Sequence, residues 1–175
     1  MTDKRLELKT YICRSIFKII RVVLVSFFTI TVSATSAHAF CFSEASLRYQ
    51  VNEYVLMAIA RHESRMNPNL ILRNTNGSLD LGLMGINTVH LASSEPLYRA
   101  GMNPQMLMDP CTNVMTGAYL LRLKMEKFGN TWQAVGSYHS TTDVHNARYQ
   151  RQIWEMVQRV QKQIALANSA AERGG

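Results

Sequence analysis

A glutamate interrupts an apolar helical stripe in the first half of the chain. Leu56, Ile59 and Ala60 recur at the three-and-four spacing of one helix face. An apolar residue is expected one turn further on, but the sequence places Glu63 there. A carboxyl group among apolar side chains is hard to ionise, and the raised pKa suits a general acid. An isolated glutamate at a helix end more often turns to water. The choice between these interpretations depends on the residues that follow.

A second carboxylate, Asp80, follows an Asn- and Gly-rich turn at residues 74–78. Two carboxyl groups in unlike environments are the arrangement that cleaves glycosidic bonds. The buried group stays protonated and donates to the leaving oxygen. The exposed group stays ionised and stabilises a positive centre or orients a nucleophile. Glu63 and Asp80 are therefore the candidate catalytic pair. Asp80 also has an ordinary interpretation, as a turn residue that bonds to local backbone.

Other chemistries lack the spacing that they require. His62-Glu63 is similar to the start of a zinc-protease His-Glu-x-x-His helix, but Met66 stands where the second histidine is needed. Histidines later in the chain have no metal-ligand spacing with the cysteines. No Gly-x-Ser-x-Gly elbow, phosphate-binding loop or dinucleotide fingerprint occurs. The sequence therefore predicts neither a metal site nor a cofactor.

Residues 1–39 have the pattern of a secretory signal peptide. A basic leader precedes the apolar run 22–32, and Ala37-His38-Ala39 supplies a small-x-small exit. Cleavage after Ala39 predicts a periplasmic protein. The alternative is an uncleaved membrane anchor. Lys18 and Arg21 interrupt the apolar stretch, however, and the remainder falls short of the ~20 residues that span a bilayer. We therefore expect no stable membrane anchor after cleavage.

Removal of residues 1–39 lowers the net charge of the chain and leaves two of its three cysteines. The formal charge is +7, but residues 1–39 hold six basic and two acidic residues, which leaves 7 − 4 = +3 for the remainder. A mildly basic remainder suits an anionic cell wall as well as nucleic acid, and no nucleic-acid partner is expected. Cys13 leaves with the leader, so Cys41 and Cys111 remain in an oxidising compartment. They are expected to form a disulfide, with two free thiols as the alternative.

Helical periodicity dominates the predicted elements. Asn52 is expected to cap a helix over 53–66, and Thr112 or Asn113 to cap a helix that ends at Gly129. Helices are also expected from Thr131 and, over a long final stretch, from Asp143. The apolar stripe expected to pack the final helix on the body is Ile153, Trp154, Val157, Val160 and Ile164. Residues 71–73 and 79–81 are long enough for a small hairpin. The sequence thus predicts a mainly α domain over 40–168, with a small irregular lobe that opens a groove beside the glutamate, and a flexible tail over 169–175.

Three motifs in order resemble those of lytic transglycosylases with a lysozyme-like α+β fold. They are Glu63-Ser64, Gly82-Leu-Met-Gly-Ile-Asn87 and Ala134-Val-Gly-Ser-Tyr138. The resemblance is closest to the small branch that accompanies conjugation, pilus and type III secretion machines. It covers essentially the whole chain after the leader and includes the two later cysteines.

The resemblance implies an activity and a set of roles. Such enzymes cut the bond between N-acetylmuramic acid and N-acetylglucosamine in peptidoglycan. It implies that Glu63 protonates the leaving oxygen and then acts as base on the muramic acid C6 hydroxyl, which closes a 1,6-anhydro ring without water. Ser64 would orient Glu63 or a substrate group, and Tyr138 would hydrogen-bond near Glu63. The implied sugar-groove residues are Leu83, Met84 and Asn87.

Two departures from the family pattern bear on activity. Gly85 stands where the family usually has Gln, and the lost amide weakens substrate positioning. His139-Ser140-Thr141 replaces Asn-Ala-Gly, and His139, one of the expected substrate-binding residues, could replace the Asn hydrogen bond or add a titrating group near Tyr138. Asp80 could make the site more lysozyme-like and allow hydrolysis. Three functions therefore remain. The first is a transglycosylase that opens the wall locally for a secretion, pilus or conjugation machine, whose components would be its partners. The others are a hydrolytic muramidase and a weakly catalytic peptidoglycan-binding assembly module.

Overall fold

A computed structural model of the protein describes residues 40–174. The predicted signal peptide and its cleavage site lie outside the described residues. Within residues 40–174, no helix is both long enough and apolar enough to cross a membrane.

Helices make up most of the described chain, as the sequence predicts. Residues 40–174 contain six α-helices: α1 Phe42–Tyr49, α2 Glu53–Ser64, α3 Pro96–Arg99, α4 Pro110–Phe128, α5 Trp132–His139 and α6 Asp143–Gly174. Three short strands form an antiparallel sheet: β1 Ile71–Arg73, β2 Leu79–Leu81 and β3 Ile86–Asn87. A 3₁₀ turn at Thr88–Leu91 lies between β3 and α3, and another at Met106–Met108 lies between α3 and α4. The helices pack around one apolar core, and the sheet lies in the connection between α2 and α3.

Helix α2 forms for the local reasons that its sequence indicates. The Asn52 side chain accepts hydrogen bonds from the first backbone N–H groups of the helix, so it is the predicted N-cap. The stripe of Leu56, Ile59 and Ala60 is fully buried. The helix ends at Ser64, two residues before the predicted end. Arg65 and Met66 adopt positive φ angles, which a continuing α-helix cannot accommodate.

The sheet contains the predicted hairpin and one further strand. The hairpin pairs Leu72 with Asp80, and its turn is closed by the Asn74 N–H bond to the Ser78 carbonyl at 2.8 Å. The chain then turns back through the Gly82-Leu-Met-Gly-Ile-Asn87 motif, called the glycine motif below. Gly82 and Gly85 have positive φ angles there, and the end of the motif adds β3 beside β2. The third strand has two residues, too few for an alternating pattern to reveal it in the sequence.

Helix α4 begins earlier than either cap predicted from the sequence. Asp109 is its N-cap, and its Oδ2 accepts the backbone N–H of Thr112 at 2.8 Å. Pro110 occupies the first turn, where its missing N–H has no partner to lose. The predicted caps at 112 and 113 therefore lie inside the helix. Its other end is as predicted, since Gly129 with φ 72° follows Phe128.

The final helix α6 packs through a narrower stripe than predicted. Ile153, Val157 and Val160 are buried. Trp154 was expected in the same stripe but is 51% exposed, and its ring packs edge-on against Trp132 at 5.2 Å. The helix extends to Gly174, and the flexible tail expected over residues 169–175 stays a prediction.

A disulfide joins Cys41 to Cys111, with Cα atoms 5.3 Å apart. It connects the start of α1 to the first turn of α4, which confirms the pairing expected from the sequence. The two sulfurs and Glu44 form a grouping among residues 40–174 with the spacing of metal ligands. Because the sulfurs are bonded to each other, they are not thiolates and cannot act as such ligands.

Candidate active site

A groove of about 690 Å³ runs between the sheet lobe and the helical body. Residues 74–76, 78, 80 and 85–87 line it on the sheet side, and residues of α4 and α5 line it on the other. Glu63 reaches the groove from the end of α2. The groove therefore brings together six of the residues singled out from the sequence, namely Glu63, Asp80, Gly85, Asn87, Tyr138 and His139.

The Glu63 carboxyl group is largely withdrawn from solvent, as the interrupted stripe predicts. Burial is the largest influence on its pKa and raises it above the usual value for glutamate. The Tyr149 hydroxyl donates a hydrogen bond to Glu63 Oε1 at 2.5 Å, and that bond acts in the opposite direction by favouring the ionised form. The charge of His62 also lowers this pKa, while the charge of Asp80 raises it. The net result is a carboxyl group that holds its proton more tightly than an exposed glutamate does.

Tyr149 is the residue of this site that the sequence reasoning missed. It lies on α6, 86 positions from Glu63, and its side chain is almost completely buried. Its ring stacks parallel to the His139 ring at 5.0 Å and meets the His62 ring edge-on at 5.1 Å. Tyr149 precedes Ile153 by one helical turn, so the α6 stripe could have indicated its burial. Its bond to Glu63 depends on how α6 packs against α2.

Tyr138 lines the groove together with Glu63, near which the family resemblance places its hydrogen bond. Its hydroxyl donates to the backbone carbonyl of Met84 at 3.0 Å. Burial raises the Tyr138 pKa well above its usual value, and the charges of Glu63 and Asp80 raise it further. Tyr138 is therefore a neutral donor that ties α5 to the glycine motif near both carboxyl groups.

Asp80 faces the groove from β2 with both carboxylate oxygens bonded. The Asn74 amide donates to Oδ2 at 3.1 Å, and the Asn87 amide donates to Oδ1 at 2.7 Å. Asn87 also donates to the Ser78 hydroxyl at 3.0 Å. These bonds fix the direction of the Asp80 carboxylate. They also occupy the Asn87 amide group that the sequence analysis assigned to substrate binding.

Three of the expected substrate-binding side chains point into the protein. Leu83 and Met84 are fully buried and belong to the core. Met84 packs tightly on α4, where a Cβ at Gly117 would lie 2.7 Å from its Cγ. Ser64 is buried too, and its hydroxyl donates to the Ala60 carbonyl at 2.9 Å. None of the three lines the groove. Their positions correct the expectation that these side chains touch substrate or orient Glu63.

Asn113 holds the glycine motif in place from inside α4. Its amide nitrogen donates to the carbonyls of Leu81 and Leu107 at 2.9 and 2.8 Å, and its oxygen accepts the Met84 N–H at 2.7 Å. All these groups are buried, where backbone groups left unpaired are costly. A Cβ at Gly82 would lie 2.3 Å from the Asn113 amide nitrogen, so glycine is required at that position.

Gly85 lies directly against the catalytic candidate. Its φ of +58° is in the left-handed region, and an added Cβ would be 3.0 Å from the Glu63 Cβ. Glycine therefore allows the motif to pack on the Glu63 side chain without strain. This contact gives a physical reason for the residue that departs from the family pattern.

The sequence matches the family described as "Transglycosylase SLT domain" over residues 40–156. The chain belongs to this transglycosylase family. It is accordingly an enzyme of the peptidoglycan lytic transglycosylase class. The motifs that resemble this class lie within the matched residues.

Curated relatives and a solved structure agree with the assignment. The transglycosylase is 38% identical over 128 residues to "Invasion protein IagB" of Salmonella typhimurium strain SL1344, an alignment that covers 70% of this chain and 78% of the relative. It is 39% identical over 103 residues to "Protein IpgF" of Shigella flexneri, covering 58% and 66%. An inactive mutant of the lytic transglycosylase Slt from Pseudomonas aeruginosa superposes with a TM-score of 0.55 at 18% identity, covering 70% of this chain and 24% of that one. That likeness supports the lysozyme-like fold predicted from the sequence.

Tyr149→Phe is expected to move the pH dependence of the transglycosylase to higher pH. The Tyr149 hydrogen bond lowers the Glu63 pKa, so its loss raises that pKa further. Glu63 is the candidate general acid, a role that requires the protonated form, and the alkaline limb of the rate profile should therefore shift upward. The maximal rate should also fall, because the carboxyl group loses its anchor. The measurement is the rate of fragment release from peptidoglycan across pH.

Tyr119→Phe is the matched control, since Tyr119 is a partly buried tyrosine on α4 that packs against Tyr49. It should leave the alkaline limb where it is. A Tyr149→Phe profile that stays in place or shifts to lower pH would contradict the assigned role of the hydrogen bond.

Proposed function

We propose that this transglycosylase cleaves the β-1,4 bond between N-acetylmuramic acid and N-acetylglucosamine, with Glu63 as acid and then base. The observation that carries the proposal is the position of the Glu63 carboxyl group. It is buried enough to have a raised pKa, yet it lines an open groove of about 690 Å³. A protonated carboxyl group beside a glycan strand is the requirement for breaking a glycosidic bond.

The reaction proceeds in two proton transfers through one carboxyl group. Glu63 gives its proton to the glycosidic oxygen, the bond from that oxygen to the muramic acid C1 breaks, and N-acetylglucosamine leaves as an alcohol. The Glu63 carboxylate then takes the proton of the C6 hydroxyl, whose oxygen bonds to C1 and closes the 1,6-anhydro ring. Glu63 ends the cycle protonated. The buried Tyr149 hydroxyl holds the carboxyl group in position during both steps.

Asp80 serves as the second carboxylate in this proposal. Its two amide partners aim it into the groove, where its charge stabilises the positive centre at C1. The same position supports a second candidate function, because a carboxylate on the far side of the bond can activate water. In that case the enzyme is a muramidase and its product has a reducing end.

The cellular role that we propose is local opening of the wall in the periplasm for a secretion, pilus or conjugation machine. The support is the similarity to a relative named for invasion and the disulfide, which suits an oxidising compartment. Peptidoglycan strands and components of the machine are the proposed partners. The alternative, a weakly catalytic binding module, draws on Gly85, which contributes no side chain to the groove.

Mass analysis of the fragments released from purified peptidoglycan tests the activity. Anhydromuramic ends are the expected product. Reducing ends would replace the transglycosylase mechanism with hydrolysis and make Asp80 the next residue to change. Absence of fragments, with and without the machine's components, would favour the binding module.

A further inference from the structure

One wall of the groove carries a lysine that the proposed reaction does not use. Lys124, on α4, is half-buried and lines the same groove as Glu63. Among residues 40–174, no acceptor hydrogen-bonds to its ammonium group and no carboxylate lies within 4 Å of it. An ammonium group that lines a groove and has no carboxylate partner in the protein can pair with a carboxylate that a ligand brings into the groove.

Other cations on the helices have partners or lie outside the groove. Arg122 pairs with Glu126 at 3.2 Å, and Arg159 pairs with Glu155 at 3.7 Å. Lys127, less than one turn from Lys124, is exposed and lies over the Phe128 ring at 5.2 Å. Lys124 is thus distinguished by its position in the groove.

His90 lies beside Lys124 and lines the same groove from the 3₁₀ turn after β3. Burial lowers the His90 pKa, the charge of Lys124 lowers it further, and the charge of Glu95 raises it. His90 is therefore a neutral imidazole at neutral pH. Its Nδ1 faces Glu95 at 4.0 Å. Together the two residues offer a positive charge and a neutral hydrogen-bonding ring, a combination that suits a carboxylate.

We propose that Lys124, with His90 beside it, binds a carboxylate of the peptidoglycan strand. This inference rests on the proposed function for its polymer substrate. The sugar rings and their acetamido groups are neutral. The Lys124 ammonium group therefore discriminates among strands by the charged substituents that they carry. Carboxylates come from two sources, the stem peptide and the lactyl group of muramic acid, which is free when the peptide has been removed. Lys124 is therefore a specificity-determining residue for the substituents of the glycan.

Binding by a Glu63→Gln protein tests the proposal without cleavage of the strands. Three ligands of similar length separate the sources: peptide-bearing glycan strands, strands stripped of peptide by an amidase, and neutral chitooligosaccharides. We expect at least one carboxylate-bearing ligand to bind about fivefold more tightly than the neutral one, with the preference declining as salt rises. The stronger of the two identifies the carboxylate that is bound.

Substitutions at Lys124 test whether the lysine causes the tighter binding of carboxylate-bearing ligands. In the Glu63→Gln background, Lys124→Gln should abolish the preference, and Lys124→Arg should retain most of it. Lys127→Gln is the matched control on the same helix and should retain it fully. Equal binding of all three ligands, or a preference that survives Lys124→Gln, would overturn the proposal. Because binding is measured apart from cleavage, these outcomes stand even if the native protein releases no fragments, a result that would refute only the proposed function.

Discussion

We expect Glu63→Gln to lower the rate of fragment release from peptidoglycan by about 100- to 10,000-fold, the usual contribution of general acid–base catalysis. Glutamine has the shape of glutamate, and its amide oxygen can still accept the Tyr149 hydroxyl. It has no acidic proton to give to the leaving oxygen and no carboxylate to take one from C6. The substitution therefore removes both proton transfers and leaves the contacts around position 63 in place. Mass analysis of released fragments over time measures the loss.

The stability of the Glu63→Gln variant shows whether its activity is lost with the carboxyl group alone or because the protein unfolds. The Glu63 pKa in the folded protein lies above its unfolded value, so ionisation opposes folding. This penalty is absent below the unfolded pKa and grows as pH rises through the folded pKa. Glutamine cannot ionise, and Glu63→Gln should therefore raise the melting temperature at mildly alkaline pH but not in acid. A melting temperature lowered at alkaline pH would contradict this assignment of the carboxyl group.

A matched glutamate on the same helix supplies the control. Glu53 lies in the first turn of α2 and accepts a hydrogen bond from the Ser43 hydroxyl, away from the groove. Glu53→Gln should keep most of the native rate. Retention of more than about a tenth of the native rate in Glu63→Gln would show that another group supplies the proton.

The second large effect is expected from the disulfide, whose removal should lower the free energy of unfolding by about 4 kcal/mol. Cys41 and Cys111 are 70 positions apart in sequence, so the bond closes a long loop in the unfolded chain and reduces its entropy. Urea unfolding of the Cys41→Ser/Cys111→Ser double variant beside the oxidised protein measures the difference. The variant should still fold, because α1 keeps its buried Phe42 and Ala45 in the core.

A reducing agent provides an internal control for the disulfide. It should shift the urea midpoint of the native protein toward that of the double variant and leave the variant's own midpoint unchanged. Equal midpoints for the oxidised protein and the variant would show that the bond contributes no stability.

Local sequence rules predicted much of the scaffold around the site. The Asn52 cap and the buried stripe of α2 depend on contacts within one or two helical turns, and such contacts are readable from spacing. The Asn-Gly turn likewise predicted the hairpin that carries Asp80. The same spacing marked Glu63 as a carboxyl group in an apolar position, and the structure gives it a raised pKa because of burial.

Helix ends and short strands were predicted less well. The sequence placed the α4 cap at 112 or 113, yet Asp109 caps the helix and Asn113 serves the glycine motif. Both positions carry residue types that can cap a helix, so propensity alone does not choose between them. The choice is made by the carbonyls that the tertiary structure presents to the Asn113 side chain.

By itself the sequence determined the helical body, the hairpin, the family motifs and Glu63 as the candidate acid. Each of these depends on residue type and on the spacing of near neighbours. The tertiary structure alone decided which groups surround that acid. Tyr149 reaches Glu63 across 86 positions, Tyr138 bonds to the Met84 carbonyl, and the Leu83 side chain turns into the core. These contacts arise where α2, α5 and α6 meet around the glycine motif, and no periodicity within one element specifies which side chains of another will face it.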